Sequence, residues 1–600
     1  MQVDHPVQAE NQPTLPPGDF PPSLVAGVTS LLEQVYGADL NGTLANQVMS
    51  AFWPAGSRPK SVPRLAEETA WSERDTYVIT YGGTFVDGEH KPLDLLHDFL
   101  TRYLEGTVTG VHILPYFPFT SDDGFSVTDY REVNSQLGAW EDIGRIADHF
   151  RLMSDLVINH CSSQSWYFNE YLQGHEPYDR FFFEADPMAD LSAVVRPRAS
   201  GLLRKVSTAS GDRHVWCTFS HDQIDFNFAN PEVLLEFVRI LRFHVDRGVR
   251  TLRLDAVAFL WKQVGSPSIH LPETHAIIRL LRLLADHNDE PLMLITETNV
   301  PNAENLSYFG NANEAHAVYN FSLPPLLLHA LHNGTAEYLN EWQLSMPPLQ
   351  PGCTYFNFTA SHDGIGLRPA EGYLSDRQID ELIETVRSFG GLVSLRQVAG
   401  NARRPYEINT SLYDALMGTV DGVDQWNEQR FLCSQIVAMG LQGIPGIYVH
   451  SLLATHNDHD GVEKTGHNRA INRHRWNYPE IREHLDGGEN VHSRVFAAMR
   501  DILAIRMNQP AFHPDVPQFL LQLPNELFGF RRHCMDHQQE IFAIHNLSDR
   551  HVTIPAMLLN LHADETWSDI LAPENDCTTS RDITFEPYQC RWISNRISDD

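Results

Sequence analysis

Cysteine is scarce in this chain, and positive charge is in short supply. The seven cysteines (161, 217, 353, 433, 534, 577 and 590) are an odd number in 600 residues, and no two form a CxxC pair. Neither a disulfide framework nor a zinc site is expected, and a reducing cytoplasm fits. Histidine is plentiful, 30 residues, yet the nearest approach to a ligand cluster, "HNDHDGVEKTGH" (456–467), reads as a polar loop. Lys and Arg total 44 against 77 Asp and Glu, a formal charge of −33. That deficit argues against nucleic acid and anionic membrane surfaces as partners. A solvated acidic surface, as in proteins of salty or osmotically stressed cells, accounts for it. No run approaches the roughly 20 apolar residues of a membrane span. The N-terminus, "MQVDHPVQAENQPTLPPGDF", is polar and Pro-rich, without the charged-then-apolar pattern of a leader.

What is present is a rhythm. Apolar content is 42%, enough for a sizeable core, and the length suits a large catalytic unit with appendages. Residues 1–21 read as disordered and 22–53 as helical. Short β-branched runs then recur between amphipathic segments: "TYVITYGG", "GVHILPYFPF", "MSDLVINH", "RTLRLDAVAF", "LMLITETNV", "HAVYNFSLP", "TYFNFTASHD" and "GIPGIYVHSLL". Eight such runs alternating with helix-like stretches predict an α/β fold, a (β/α)8 TIM barrel whose strands are parallel and buried. Its expected limits are 74–514, after an N-terminal extension at 1–73. Inserts are expected after strands 3 and 7, at about 161–230 and 364–430. From 515 to 600, short alternating runs predict an antiparallel β domain.

The ends of the strands carry charge. Arg253 and Asp255 share one face of an otherwise apolar run, and a buried charge is costly unless paired or used. Asp155, Asn159 and His160 follow the third run, Glu297 the fifth, and His362 and Asp363 the seventh. Barrel closure would gather Asp255, Glu297 and Asp363 at the face where barrel active sites assemble. Three acids around one cavity suit glycoside chemistry. Arg253 is expected to hold Asp255 ionised, since an adjacent cation lowers a carboxyl pKa.

In order, "DLVINH", "RLDAVAF", "ITETN" and "ASHDG" resemble the four signature regions of the α-amylase superfamily, over roughly residues 74–600. The resemblance implies a retaining double displacement, with Asp255 as nucleophile, Glu297 as general acid/base and Asp363 stabilising the transition state. His160, Arg253 and His362 match positions lining the glucose subsite. Asn159 stands where many barrel amylases hold calcium, but the branch described next generally lacks the ion, so no metal and no resident cofactor are expected.

The stretches "LPYFPFTSDDGFSVTDY", "RPRASGLL", "WCTFSHDQIDF" and "GHNRAINRHRW" resemble the sucrose phosphorylase branch. That implies Asp122 and Arg469 clamping the glucosyl unit, Phe219 as an aromatic platform with Gln223 as a polar neighbour, and Arg198 meeting phosphate. Glu407 in "PYEINTSLYDAL", the stretch "TETNVPNAENLSYFG" and the N-terminal extension look like relatives that phosphorolyse glucosylglycerate or glucosylglycerol. Tyr406, Glu407, Lys464 and His467 are then the acceptor-site candidates, with Lys464, His467 or Arg404 as the cation for a carboxylate. The expected partners are a small sugar substrate and phosphate; a homodimer is left open. Sucrose or sucrose 6-phosphate phosphorolysis is the first alternative, and a phosphate-independent α-glucosidase or transglucosylase the second. A non-enzymatic partner subunit would lack the intact acids.

Overall fold

The computed structural model describes residues 20–38, 42–64, 71–198, 200–397, 403–561, 565–573 and 582–596. The expected disorder over residues 1–21 falls almost wholly outside them, as does Cys577. Eight parallel strands close a barrel: β1 (Tyr77–Tyr81), β2 (Gly110–Leu114), β3 (Arg151–Leu156), β4 (Val249–Leu254), β5 (Met293–Thr296), β6 (Ala317–Tyr319), β7 (Thr354–Phe358) and β8 (Ile444–Tyr448). Each pairs with its sequence neighbour, and β1 pairs with β8 to seal the ring. Each of the eight apolar runs overlaps one strand, with β3 and β4 starting two residues and one residue before theirs. The physical reason is burial on both faces, inside by the barrel core and outside by helices.

The barrel interior is filled rather than hollow. Tyr77 reaches across from β1 to Thr251 on β4, its hydroxyl 2.9 Å from Thr251 Oγ1. Glycine makes room for such large side chains. A side-chain carbon at Gly110 would lie 2.5 Å from the Tyr77 ring, and one at Gly446 would lie 2.2 Å from Phe356.

Outer helices are built from ordinary signals. One is Pro231–Asp246, where Asn230 Oδ1 accepts the Glu232 N–H at the N-cap, Pro231 occupies the first turn, and Val233, Phe237 and Leu241 form a buried stripe. The N-terminal extension contributes two helices, α1 (Pro22–Tyr36) and α2 (Thr43–Phe52). They pack on the barrel's helical shell through fully buried Leu24, Val28, Val48, Met49 and Phe52.

The insert after β3 holds the helix Trp166–Gln173 and the hairpin Leu203–Thr208 with Gly211–Trp216. The insert after β7 holds the helix Asp376–Ser388 and a three-stranded sheet of Ile365–Gly366, Leu392–Gln397 and Arg403–Asn409. At the C-terminus a five-stranded antiparallel sheet alternates strictly. Along Glu540–Asn546, Ile541 and Ala543 join the barrel-side core while Phe542 and Ile544 join a second, smaller core. Both faces are covered, which is why this strand reads as continuously apolar. No helix among the described residues is long and apolar enough to cross a membrane.

Candidate active site

Arg253 is the hub around which the strand ends are organised. Its register places it beside Asp155 of β3 and Ile295 of β5. One guanidinium nitrogen, Nη1, donates to Asp155 and lies 2.9 Å from Asp255 Oδ1; Nη2 is 3.8 Å from Glu297 Oε1. Asp155 is also bonded to His112 Nε2 at 2.7 Å. Burial works against the Asp155 charge, but Arg253 and His112 outweigh it and hold its pKa near about 2. Arg253 does bond to Asp255, as its place in the chain suggests, but not to it alone. It is shared by three carboxyls, and the fully buried Asp155 takes the closest contact.

That sharing has a chemical consequence. Burial pushes both the Asp255 and Glu297 carboxyls up, with Arg253 opposing it in each case. The expected net lowering of Asp255 is not found: desolvation exceeds the pull of one divided cation. Arg253 lies nearer to Asp255 than to Glu297 and so supports a carboxylate on Asp255 more strongly. The backbone adds to the arrangement. Ala256, next after Asp255, turns the chain with φ 50°, and its N–H donates to Glu297 Oε2 at 3.0 Å.

Around these acids lies a confined cavity of about 80 Å³, bordered by Asp122, His160, Phe219, Gln223, Asp255, Glu297, His362, Asp363, Tyr406 and Arg469. Asp122 sits in the left-handed region, φ 53°, a conformation held by the surrounding loop. Burial works to raise its carboxyl, yet Arg469, Arg198 and Arg473 together hold it well below the usual range. Gln223 Nε2 donates to Asp122 at 3.3 Å and lies 3.1 Å from His160 Nε2. Burial lowers His160 and His362, keeping both imidazoles neutral near pH 7. His362 stacks on Phe125, centroids 5.0 Å apart, and Phe219 packs on His160 at 5.2 Å.

Arg469 bridges two acids: its Nη1 is 2.5 Å from Asp363, and Nε and Nη2 each donate to Glu407 at 2.8 Å. Glu407 is thus a buried support behind Arg469 rather than an acceptor-site residue, since the fork of the guanidinium occupies both its oxygens. Lys464 and His467 are exposed, on and just after the helix His459–Thr465, which buries none of its residues. Arg404 is likewise exposed. None of these three borders the cavity. Besides Arg469, the cations that do are Arg196, Arg198, Arg368 and Arg396. Of these only Arg198 was singled out from sequence; Arg368 follows Asp363 closely enough for its position to have been a clue, whereas nothing local marks Arg396.

Asn159 has a protein cation beside it. Lys262, 1% exposed, places Nζ 2.7 Å from Asn159 Oδ1 and 3.0 Å from Asp225 Oδ2. Among the described residues, no group of three or more His, Cys, Asp or Glu is arranged to hold a metal.

A model of the α-amylase catalytic domain matches residues 101–356. The glucosylglycerate phosphorylase of Spirochaeta thermophila is 44% identical over 529 residues, 87% of this chain and 90% of that protein. The chain belongs to the α-amylase family, in its sucrose phosphorylase-like branch. Within that family, the glucosylglycerate phosphorylase of Escherichia coli is 38% identical over 94% of this chain and 99% of its own length. A glucosylglycerol phosphorylase of Marinobacter adhaerens is 29% identical over 70% of this chain and 84% of its own. Among solved structures, the sucrose 6F-phosphate phosphorylase from Thermoanaerobacter thermosaccharolyticum superposes with a TM-score of 0.68 at 24% identity, covering 79% of this chain and 94% of that one. That last likeness speaks to the family's barrel alone.

Proposed function

We propose that this protein is a retaining glucoside phosphorylase that converts glucosylglycerate and phosphate into α-glucose 1-phosphate and glycerate. One observation carries the reading: the cavity that holds the three carboxyls with Asp122 and Arg469 is lined by four further arginines. A plain glucosidase has no need of such a cluster. The curated relatives at 44% and 38% identity are glucosylglycerate phosphorylases, and a cationic lining favours an anionic acceptor over neutral glycerol.

The geometry is compatible with two steps. The Asp255 carboxylate attacks the anomeric carbon, and the bond to the glycerate oxygen breaks as Glu297 gives that oxygen its proton. Asp363, tied to Arg469, and Asp122 hold the sugar hydroxyls. Charge that builds on the ring is met by the carboxylates around it. In the second step a phosphate oxygen attacks the same carbon, Glu297 takes its proton, and the bond to Asp255 breaks. Arginines draw a bulky dianion in preference to water. Proton and glucosyl transfers balance with these groups alone, so no resident cofactor enters the scheme. The six described cysteines are buried and free, in keeping with a reducing, cytoplasmic setting.

The test is direct. Incubation with α-glucose 1-phosphate and, separately, glycerate, glycerol and fructose should give phosphate release fastest with glycerate. A preference for fructose would return the protein to the sucrose phosphorylases, and glucose release independent of phosphate would make it a glucosidase.

A further inference from the structure

The four further arginines that line the cavity come from two separate inserts. Arg196 and Arg198 lie on the insert after β3. Arg368, in the turn Arg368–Ala370, and Arg396, on the strand Leu392–Gln397, lie on the insert after β7. The side chains of Arg368 and Arg396 are only 15% and 17% exposed. Their buried Nε groups find no acceptor among the described residues.

Compensation for these two charges is thin. Arg396 Nη2 is 3.0 Å from Glu371 and Arg368 Nη2 is 3.8 Å from Glu304, and both acids are 44% exposed. Burial, and then the neighbouring charge of Arg368, push the Arg396 guanidinium down. Two like charges held together, largely out of water and with inward donors unused, make a site that an anion completes.

Retaining chemistry says where that anion must be. In a double displacement, the departing acceptor and the incoming phosphate use the same face of the glucosyl ring, next to Glu297. Their reacting oxygens therefore occupy one point. Phosphate bears its charged oxygens on the phosphorus bonded to that oxygen. A carboxylate attached to the hydroxyl-bearing carbon carries its charge one bond further out. A carboxylate another carbon away swings clear of guanidiniums fixed in the wall. Their planar forks suit either oxyanion.

We infer that Arg368 and Arg396, with Arg198, form one anion site used in turn by phosphate and by the acceptor's carboxylate, so that the acceptor class is the 2-hydroxycarboxylates. The inference rests on the phosphorylase reading and narrows it from one acceptor to a chemical rule.

The experiment measures glucosyl transfer from α-glucose 1-phosphate to glycerate, glycolate, 3-hydroxypropionate and glycerol. Transfer from α-glucosyl fluoride to phosphate supplies the second half, because that donor has no carboxylate of its own. In the wild type, glycerate and glycolate should exceed 3-hydroxypropionate and glycerol by about tenfold or more. Arg368→Gln and Arg396→Gln should each lower kcat/KM for glycerate and for phosphate together by about ten- to a hundredfold, with a matching fall in the glycerate-to-glycerol ratio. Arg396→Lys should restore part of both, and thermal melting would show that the variants are folded. Loss for one anion only would overturn the shared site. Equal use of glycolate and 3-hydroxypropionate, which needs no variant to measure, would overturn the acceptor rule. A wild type indifferent to phosphate would refute the phosphorylase reading, and this inference with it.

Discussion

Lys262→Met is the substitution whose outcome the structure prescribes most closely. The lysine stem is retained in volume, but the ammonium is lost from a site where Lys262 and Asp225 are 1% and 0% exposed. In the wild type Nζ lies 2.7 Å from Asn159 Oδ1 and 3.0 Å from Asp225 Oδ2, with the Phe226 and Leu260 carbonyls each at 3.5 Å. Removing one member of a buried ion pair costs about 3–5 kcal/mol, because the survivor is left charged and unpaired. Asp225 keeps the Thr218 N–H at 2.9 Å, the Thr218 hydroxyl at 2.6 Å and the Asn159 amide at 3.1 Å. The cost should therefore fall at the low end, about 3 kcal/mol, or somewhat over a hundredfold in the local folding equilibrium.

The assay is thermal and urea unfolding of the variant against wild type. Lys262→Met/Asp225→Asn should recover part of the lost stability, because a neutral amide needs no cation beside it. Activity should fall as well, since Asn159 precedes His160 and contacts its ring nitrogen at 3.2 Å. Unchanged or raised stability in Lys262→Met would refute the reasoning, as would a penalty insensitive to the second substitution.

Further outcomes concern the acids. Asp255→Asn should abolish transfer by on the order of 10⁴-fold or more, because an amide cannot form the glucosyl ester; near-normal turnover in a folded variant would exclude a covalent step there. Glu297→Gln should lose most with donors whose leaving group needs a proton and recover part of the first step with α-glucosyl fluoride; equal losses would assign Glu297 a structural part. Because burial raises the Glu297 pKa, wild-type activity should hold below that raised value and decline as pH climbs through it. With α-glucosyl fluoride, whose leaving group needs no proton from Glu297, the wild-type profile of the first step should lack this alkaline limb.

Much of the fold is legible in the sequence. The eight strands appear in the eight expected runs because a parallel barrel buries both faces of each strand, which writes a continuous apolar signature between amphipathic helices. Asp255, Glu297 and Asp363 stood out for the opposite reason: acids at the ends of such runs have no place in a core unless they are employed. Other features depended on three dimensions. Arg253 lies beside Asp255 in the chain, yet only strand register shows that Asp155 claims it first. Glu407 carries a polar signature that suits an acceptor contact, but Arg469, from a different loop, covers both its oxygens. Lys464, His467 and Arg404 were reasonable cations by composition, and their side chains face solvent.

Arg196, Arg198, Arg368 and Arg396, which border the cavity, come from two inserts that meet only when the barrel closes. Local sequence determined the barrel and its acids, since burial and periodicity act over a few residues. Tertiary structure alone decided which charges face one another, because that depends on how loops far apart in the chain fold over a common cavity.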